Sequence, residues 1–174
     1  MKNIELKVRL DDPPSMKKRI REVGCRFQGK LFQVDTYFNC IRGRLKFREI
    51  NKREFQLIYY RRPNAGSHKI SEYALISFSK KEGQALKELL RDAFGVRVVV
   101  VKTRLLWMFG ETRVHLDLVD SLGEFLELES QIKGEKRKAR KEYDMLIEAL
   151  GLNAMRKIKG SYSDLIYRKG ARYK

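Results

Sequence analysis

Two pairs of basic residues in the sequence have a spacing that could support chemistry on a phosphorylated substrate. Lys46 and Arg48, and later Lys102 and Arg104, alternate with other residues, so each pair would share one face of a β-strand. Arginine can bind phosphate oxygens through two parallel hydrogen bonds. This spacing therefore predicts a surface that binds an anion with several phosphates.

A pair of carboxylates has the same spacing. Glu127 and Glu129 alternate with Leu126 and Leu128, so both carboxylates would point the same way from one strand. Such a pair offers the hard oxygen ligands that Mg²⁺ and Mn²⁺ prefer. Basic groups for phosphate and acidic groups for a metal ion together indicate a metal-bound polyphosphate as the substrate.

These side chains need β-strands to position them, and alternation of apolar and charged residues predicts about eight. The expected strands are residues 3–10, 31–39, 42–50, 54–61, 70–78, 97–109, 112–120 and 124–130. A loop is expected at Gly29, before the second strand. Turn residues in RPNAGSHK predict that the fourth and fifth strands form a hairpin.

Three helices are predicted from their end signals. The first covers residues 14–23 and begins with proline. The second begins at a capping box formed by Ser79 and Glu82 and ends at Gly95, and the third covers residues 135–150. Each has apolar side chains at helical spacing, so each would bury one face.

Strands that are charged on one face allow two arrangements. In one, a single antiparallel sheet packs helices on its apolar face and leaves its charged face in solvent. In the other, the sheet closes into a barrel with a charged interior and helices on its apolar outside. The concentration of basic and acidic groups on strand faces favours the second. The expected fold class is therefore α+β, a closed antiparallel eight-stranded β-barrel that forms a tunnel, with helices packed on the outside.

Composition restricts the class of protein further. The 174 residues include 39 Lys and Arg against 22 Asp and Glu, a net charge of +17, and 43% are hydrophobic. A single domain over residues 1–174 with an anionic partner is expected. Cys25 and Cys40 are too few for a disulfide scaffold, which favours reduced thiols in a cytoplasmic protein. The first residues lack the apolar run of a secretory signal, and no stretch suffices for a membrane span.

Seven segments, taken in order, resemble the CYTH family of triphosphate tunnel metalloenzymes, which is named for class IV adenylyl cyclases and thiamine triphosphatases. These segments are NIELKVR, DTYFN, RGRLKFRE, LIYYRRP, VVKTR, RVHLDLVDSLGEFLELE and SYSDLI. The resemblance covers nearly the whole chain. It implies an eight-stranded tunnel in which basic residues hold a triphosphate and acidic residues hold Mg²⁺ or Mn²⁺.

The resemblance and the strand pattern together assign candidate roles. Glu5 and Lys7 match the second Glu and the Lys of the family's E-x-E-x-K pattern, whereas Asn3 replaces its first Glu, which leaves the number of metal ions open. The candidate metal ligands are Glu5, Asp117, Glu127 and Glu129. The candidate phosphate-binding residues are Lys7, Arg9, Arg44, Lys46, Arg48, Arg61, Lys102, Arg104 and Arg113, of which Lys7, Lys46 and Arg104 are the candidate catalytic residues.

Several positions keep two interpretations. Either Arg61 or Arg62 could point inward, and His115 could be a tunnel residue or a structural hydrogen-bonding residue. Tyr162 resembles a C-terminal segment that closes one tunnel mouth. Four basic residues could instead be solvated at the rim, namely Lys7, Arg9, Arg42 and Arg44.

Three functions are compatible with this sequence. The leading expectation is a metal-dependent triphosphatase that cleaves a phosphoanhydride bond of inorganic triphosphate, ATP or thiamine triphosphate. The second is a class IV-type adenylyl cyclase that converts ATP to cyclic AMP and pyrophosphate. The third is a non-catalytic protein that binds nucleic acid or a triphosphate, although Glu127 and Glu129 would repel a nucleic-acid backbone. No membrane partner is expected, and the protein would be a monomer or a homodimer.

Overall fold

The structure, a computed structural model, describes residues 2–61, 69–131 and 136–170. Its eight strands are β1 (Lys2–Arg9), β2 (Arg26–Phe38), β3 (Arg44–Ile50), β4 (Glu54–Arg61), β5 (Lys69–Phe78), β6 (Val96–Phe109), β7 (Thr112–Val119) and β8 (Gly123–Gln131). Its helices are α1 (Pro13–Glu22), α2 (Lys80–Phe94), α3 (Lys136–Ala149) and α4 (Tyr162–Arg168), with a short 3₁₀ turn at Leu152–Ala154. Among these described segments, no helix combines the length and the apolar content needed to cross a bilayer.

The strands pair in antiparallel fashion in the order β1-β5-β4-β3-β2-β6-β7-β8. Strand β1 pairs with β5 on one side and with β8 on the other, so the strand order is that of a closed barrel. The expected α+β fold, with eight antiparallel strands and helices beside them, is confirmed. The expected pairing of β4 with β5 is also present.

The predicted loop at Gly29 is wrong, because β2 is continuous from Arg26 to Phe38. The pairing of β2 with β6 shifts by one residue between Phe27 and Gly29, which marks a β-bulge. Gly29 has a φ of 147°, a conformation that glycine adopts without the steric cost of a Cβ atom. The glycine therefore bends a long strand instead of interrupting it.

Helix α4 was not among the predicted helices. Its N-cap Ser161 accepts a hydrogen bond from the backbone N–H of Asp164, and the Asp164 carboxylate accepts one from the Ser161 N–H. This reciprocal pair is a capping box of the same kind as the one that begins α2 at Ser79. The Ser-x-x-Asp spacing in the sequence was thus a usable signal for the missed helix.

Three of the helices cover the apolar outside of the barrel. Ile20 of α1 and Tyr143 of α3 are fully buried in one core with Leu126 of β8. On another side, Leu90 of α2 packs in a core with Phe47 of β3. These contacts remove the outer apolar faces of the strands from water and leave the charged faces pointing inward.

Helix α4 instead fills one end of the barrel. Tyr162 and Ile166 pack among apolar side chains of the strands. Arg44 of β3 fixes the helix in place, since its guanidinium donates to Ser161 Oγ at 3.0 Å and to Asp164 Oδ2 at 2.9 Å. One end of the interior is therefore apolar and packed, and the charged part of the interior lies beyond it.

Candidate active site

A charged cavity of about 470 Å³ lies inside the barrel. Among the described residues, its lining includes six cations, Lys7, Lys46, Arg48, Lys102, Arg104 and Arg113, and four carboxylates, Glu5, Asp35, Glu127 and Glu129. With all of these groups ionised, the lining carries two more positive than negative charges. Such an excess in an enclosed space attracts a polyanionic ligand.

One side of the cavity, which we call the basic wall, consists of Lys46 and Arg48 on β3 and Lys102 and Arg104 on β6. Strand β2 lies between β3 and β6 and contributes Asp35, which is 1% exposed. Arg48 donates to both Asp35 carboxylate oxygens, at 2.6 and 2.7 Å. Lys46 Nζ and Lys102 Nζ lie 3.2 and 3.6 Å from Asp35 Oδ2. One buried carboxylate therefore holds three cations together.

The crowding of cations shifts the pKa values of the basic wall. Burial lowers the pKa of Lys102 to about 7, and repulsion from Arg104 adds to this shift. Burial also lowers the pKa of Lys46 to about 8, with a contribution from Arg48. Although burial alone would raise the pKa of Asp35, its three cationic neighbours hold that pKa well below the usual value. At pH 8 most of Lys102 is therefore neutral in the free protein, and a bound anion would favour its protonation.

The opposite side of the cavity, which we call the acidic wall, consists of Glu5 on β1 and Glu127 and Glu129 on β8. The register of β1 and β8 places Glu5 directly across from Glu129, and Lys7 across from Glu127. Lys7 Nζ lies 3.3 Å from Glu127 Oε1. Arg113 on β7 donates to Glu129 Oε1 at 3.3 Å. Neighbouring strands thus supply cations that stabilise the ionised carboxylates.

Arg104 connects the two walls. Its guanidinium donates to both Asp117 carboxylate oxygens at 2.6 Å and to Glu127 Oε2 at 2.8 Å. Asp117 also accepts a hydrogen bond from the Tyr162 hydroxyl at 2.9 Å. The Tyr162 ring lines the cavity, and Lys7 Nζ lies 3.8 Å from its centroid. Asp117 therefore orients Arg104 and anchors the tyrosine at the closed end.

Two polar atoms of the lining are buried without a hydrogen-bond partner in the described part of the chain, His115 Nδ1 and Gln33 Oε1. His115 Nδ1 lies 3.8 Å from Glu127 Oε2, which is too long for a hydrogen bond. Burial lowers the pKa of His115, and the positive charge of Arg104 lowers it further. Both residues line the cavity, and each keeps one buried polar atom to which no described group is hydrogen-bonded.

The structure brings most of the predicted site residues together. The predicted residues that line the cavity are Glu5, Lys7, Lys46, Arg48, Lys102, Arg104, Arg113, Glu127 and Glu129. Their roles in ligand binding stay predictions. His115, for which the sequence allows a tunnel role or a structural role, also lines the cavity, as does Tyr162, which resembles the segment that closes a tunnel mouth.

Three predicted site residues whose side chains the structure describes do not line the cavity. Arg9 is exposed and donates to the Leu122 carbonyl oxygen. Arg44 is occupied by the contacts that fix α4, and Asp117 by Arg104 and Tyr162. All three share the inward strand parity, but they lie toward the closed end, where the barrel is packed. The side chains of Arg61 and Arg62 lie outside the described residues.

Asp35 is the main site residue that sequence reasoning missed. It lies within the DTYFN segment, but nothing nearby in the sequence marks it as a partner for cations. Its contacts come from β3 and β6, which become its neighbours only in the folded barrel. An isolated carboxylate at an inward position of a strand beside two basic strands was the one available signal.

Glu5 and Glu129 are the two carboxylates that could share a hard cation. Residues directly opposite each other on antiparallel strands have Cβ atoms roughly 4.5–5.5 Å apart, so two carboxylates there can reach one ion. Within residues 2–61, 69–131 and 136–170, no three Asp, Glu, His or Cys side chains form a ready metal site. Mg²⁺ commonly takes only one or two carboxylates and completes its shell with water and substrate phosphates. The pair therefore fits an ion that binds together with a phosphorylated ligand.

An antiparallel barrel with cations and carboxylates on opposite sides of its interior defines a class of proteins that bind polyanions inside a barrel. Comparison with known proteins gives the family. The CYTH domain family matches residues 1–162, and the chain belongs to this family. Members of the family are enzymes that act on triphosphates, as adenylyl cyclases or triphosphatases, and they are generally metal-dependent. The resemblance found in the sequence is confirmed.

Individual relatives agree with this assignment over nearly their whole length. A Methanocaldococcus jannaschii protein provisionally named an adenylate cyclase is 29% identical over 178 residues, which span 95% of this chain and 98% of that protein. A solved structure from Pyrococcus horikoshii is 25% identical, with a TM-score of 0.78, and the match covers 94% of this chain and 98% of that one. A Hippeastrum protein described as having a dominant triphosphatase activity shares the fold at 15% identity, with a TM-score of 0.65. The match covers 97% of this chain and 96% of that one.

Proposed function

We propose that this protein binds a triphosphate in the barrel cavity and hydrolyses one of its phosphoanhydride bonds in a metal-dependent reaction. The observation that supports this most directly is the basic wall, where four cations lie together and three of them share a single carboxylate, that of Asp35. Burying several like charges together is costly unless anions compensate them. A triphosphate chain would supply those anions along the length of the wall.

The residues of the cavity would have different roles in the reaction. Lys46, Arg48, Lys102 and Arg104 would bind the phosphate oxygens and neutralise the charge that shifts onto them in the transition state. Water attacks the terminal phosphorus, a new P–O bond forms and the bond to the bridging oxygen breaks. Orthophosphate and the diphosphate leaving group are released, and the protons of the water pass to these products and to solvent. Lys7 lies beside the acidic wall and would contact the reacting phosphate. A Mg²⁺ or Mn²⁺ ion held by Glu5 and Glu129 would polarise that phosphate when bound.

A second candidate is the adenylyl cyclase reaction, which the name of the Methanocaldococcus jannaschii relative favours. There the same basic wall would hold ATP so that its ribose 3′ hydroxyl attacks the α phosphorus and pyrophosphate leaves. The two reactions differ in substrate orientation and not in the groups that bind phosphate. Nucleic acid is disfavoured as a ligand, since α4 closes one end of the interior and a duplex does not enter a cavity of about 470 Å³.

Phosphorus NMR time courses test this proposal directly. The purified protein is incubated with Mg²⁺ or Mn²⁺ and, in turn, with inorganic triphosphate, thiamine triphosphate and ATP. Release of orthophosphate supports the triphosphatase and ranks its substrates, whereas cyclic AMP with pyrophosphate from ATP identifies the cyclase. Binding without turnover of any substrate would refute both reactions.

A pair of variants on β8 tests the assignment of the acidic wall. Glu129→Gln removes one candidate metal ligand at constant side-chain volume, and turnover is expected to fall by roughly 100-fold or more. Glu124→Gln makes the same chemical change on the same strand, at a residue that does not line the cavity, and should keep full activity. Equal metal-dependent rates for Glu129→Gln and Glu124→Gln would contradict the assignment.

A further inference from the structure

Among the described residues, the cavity has a third side that carries no charged side chain. It consists of Leu31 and Gln33 on β2, Ile50 on β3, Gln56 on β4 and Leu75 on β5, and we call it the uncharged side. Gln33 is 3% exposed and Leu75 is 36% exposed. The uncharged side therefore extends from the interior to solvent and combines aliphatic surface with two amides.

The uncharged side adjoins the basic wall through strand pairing. Gln33 lies directly across from Lys102 on the neighbouring strand β6, and Gln56 lies across from Arg48 on β3. Side chains at such paired positions have Cβ atoms roughly 4.5–5.5 Å apart. A ligand whose phosphates bind Lys102 and Arg48 would therefore bring whatever group it carries beyond the phosphates against these amides.

Gln33 offers a specific contact on this side. Its Oε1 atom is buried without a hydrogen-bond partner in the described part of the chain, although the residue lines the cavity. An unpaired buried acceptor is unfavourable, and a donor that arrives with a ligand would remove that penalty. Phosphate oxygens are acceptors and cannot do so. The unpaired atom therefore indicates an N–H or O–H donor on a part of the ligand other than its phosphates.

We propose that the uncharged side binds the organic group of an organic triphosphate, and that Gln33 is a specificity-determining residue that accepts a hydrogen bond from that group. This deepens the proposed function and rests on it. A heteroaromatic ring such as a nucleobase has apolar faces that suit Leu31 and Ile50 and N–H groups on its edge that suit Gln33. Inorganic triphosphate has no organic group, so it would contact the basic wall and make no contacts with the uncharged side.

The test compares organic and inorganic triphosphates by calorimetric titration in the presence of EDTA, so that the proposed metal-dependent hydrolysis does not consume the ligand. Gln33→Leu removes the acceptor at similar volume, and Gln28→Leu is a matched control at an exposed glutamine of the same strand. Among ATP, GTP, CTP, UTP and thiamine triphosphate, at least one should bind the wild type more tightly than inorganic triphosphate does. Its affinity should fall about 3- to 10-fold in Gln33→Leu, the effect of one hydrogen bond. The affinity for inorganic triphosphate should change less than about twofold.

Two results would overturn this inference. One is equal affinity of the wild type for inorganic triphosphate, thiamine triphosphate and all four nucleotides. The other is an equal loss of affinity for inorganic and organic triphosphates in Gln33→Leu, which would assign Gln33 to the phosphates or to the fold. Because binding is measured apart from turnover, a wild type that binds but does not hydrolyse would refute only the proposed reaction.

The variant is expected to fold. Replacing an unpaired buried amide with an aliphatic side chain removes a desolvated polar group, so the thermal midpoint of Gln33→Leu should equal or exceed that of the wild type. If Gln33→Leu does not fold, Gln33→Met, whose side chain is unbranched like that of glutamine, carries the same comparison of organic and inorganic ligands.

Discussion

The carboxylate of Asp35 offers the sharpest test of how the basic wall is held together. Asp35→Asn keeps the shape of the side chain and removes its negative charge. Arg48, Lys46 and Lys102 would then lie together around a neutral, 1% exposed group. We expect the free protein to lose stability, because three buried cations would face no compensating anion among their present contacts.

The size of this effect follows from the burial of the group. Removing one partner of a buried ion pair typically costs about 3–5 kcal/mol, since the other charge is left uncompensated. For a domain of this length, each kcal/mol lowers the thermal midpoint by about 2–4 °C, so the expected decrease is about 6–20 °C. The decrease should be smaller at pH 9 than at pH 6.5, because Lys102 and Lys46, with pKa values of about 7 and 8, lose their protons there.

Thermal denaturation followed by circular dichroism measures this change. Asp92→Asn is the matched control, because Asp92 is exposed and its pairing with Arg91 lies at the surface, where such substitutions change stability by about 0.5 kcal/mol or less. Saturating inorganic triphosphate should raise the midpoint of Asp35→Asn more than that of the wild type, since it supplies the missing anion. A midpoint for Asp35→Asn equal to that of the control would refute the view that Asp35 holds the basic wall together.

Three further predictions concern the lysines and the closed end. At pH 8, the protein should take up as much as about one proton when it binds inorganic triphosphate. Lys102 is mostly neutral in the free protein, and its pKa of about 7 should rise beside phosphate. Binding heats that do not depend on the ionisation enthalpy of the buffer would contradict this prediction. The unfolded chain keeps Lys102 protonated to about pH 10.4, so it binds more protons than the folded chain above pH 7. The stability contribution of Lys102 therefore rises with pH between about 7 and 10. The thermal midpoint of Lys102→Met should consequently increase less with pH over this range than the midpoint of the wild type. The same pH dependence of the midpoint in both proteins would contradict the lowered pKa. Arg44→Met should speed hydrogen exchange of the backbone amides in α4 and lower the stability of the protein by about 1–3 kcal/mol. Arg42→Met, a substitution at an exposed position, should do neither. Equal exchange rates in both variants would exclude Arg44 as the residue that holds the helix in place.

Local patterns in the sequence were sufficient for most of the secondary structure. The capping box at Ser79 and the stop at Gly95 place the ends of α2 within one residue, because capping depends on residues only three or four positions apart. Alternation likewise identified the strand faces that carry the basic and acidic pairs. The same kind of local signal, a capping box, is present at Ser161 and Asp164, where α4 begins, so this helix was also predictable from the sequence.

These patterns do not predict how far along the barrel axis a residue lies. Lys7 and Arg9 share one strand face, yet Lys7 lines the cavity and is 7% exposed while Arg9 is exposed. Arg113 and Asp117 also share a face, but only Arg113 lines the cavity. Parity states which way a side chain points, whereas the register between strands sets its height in the barrel.

The sequence by itself determined the class of this protein. Its alternating charges require a sheet with one charged face, and its ordered motifs identify the family, because both are properties of the linear chain. Only the tertiary structure decided that Asp35 holds three cations, that Asp117 orients Arg104, and that Gln33 is buried beside the phosphate-binding groups without a partner. These contacts join strands that are distant in sequence, and they exist because the closed strand order and its register bring those strands together.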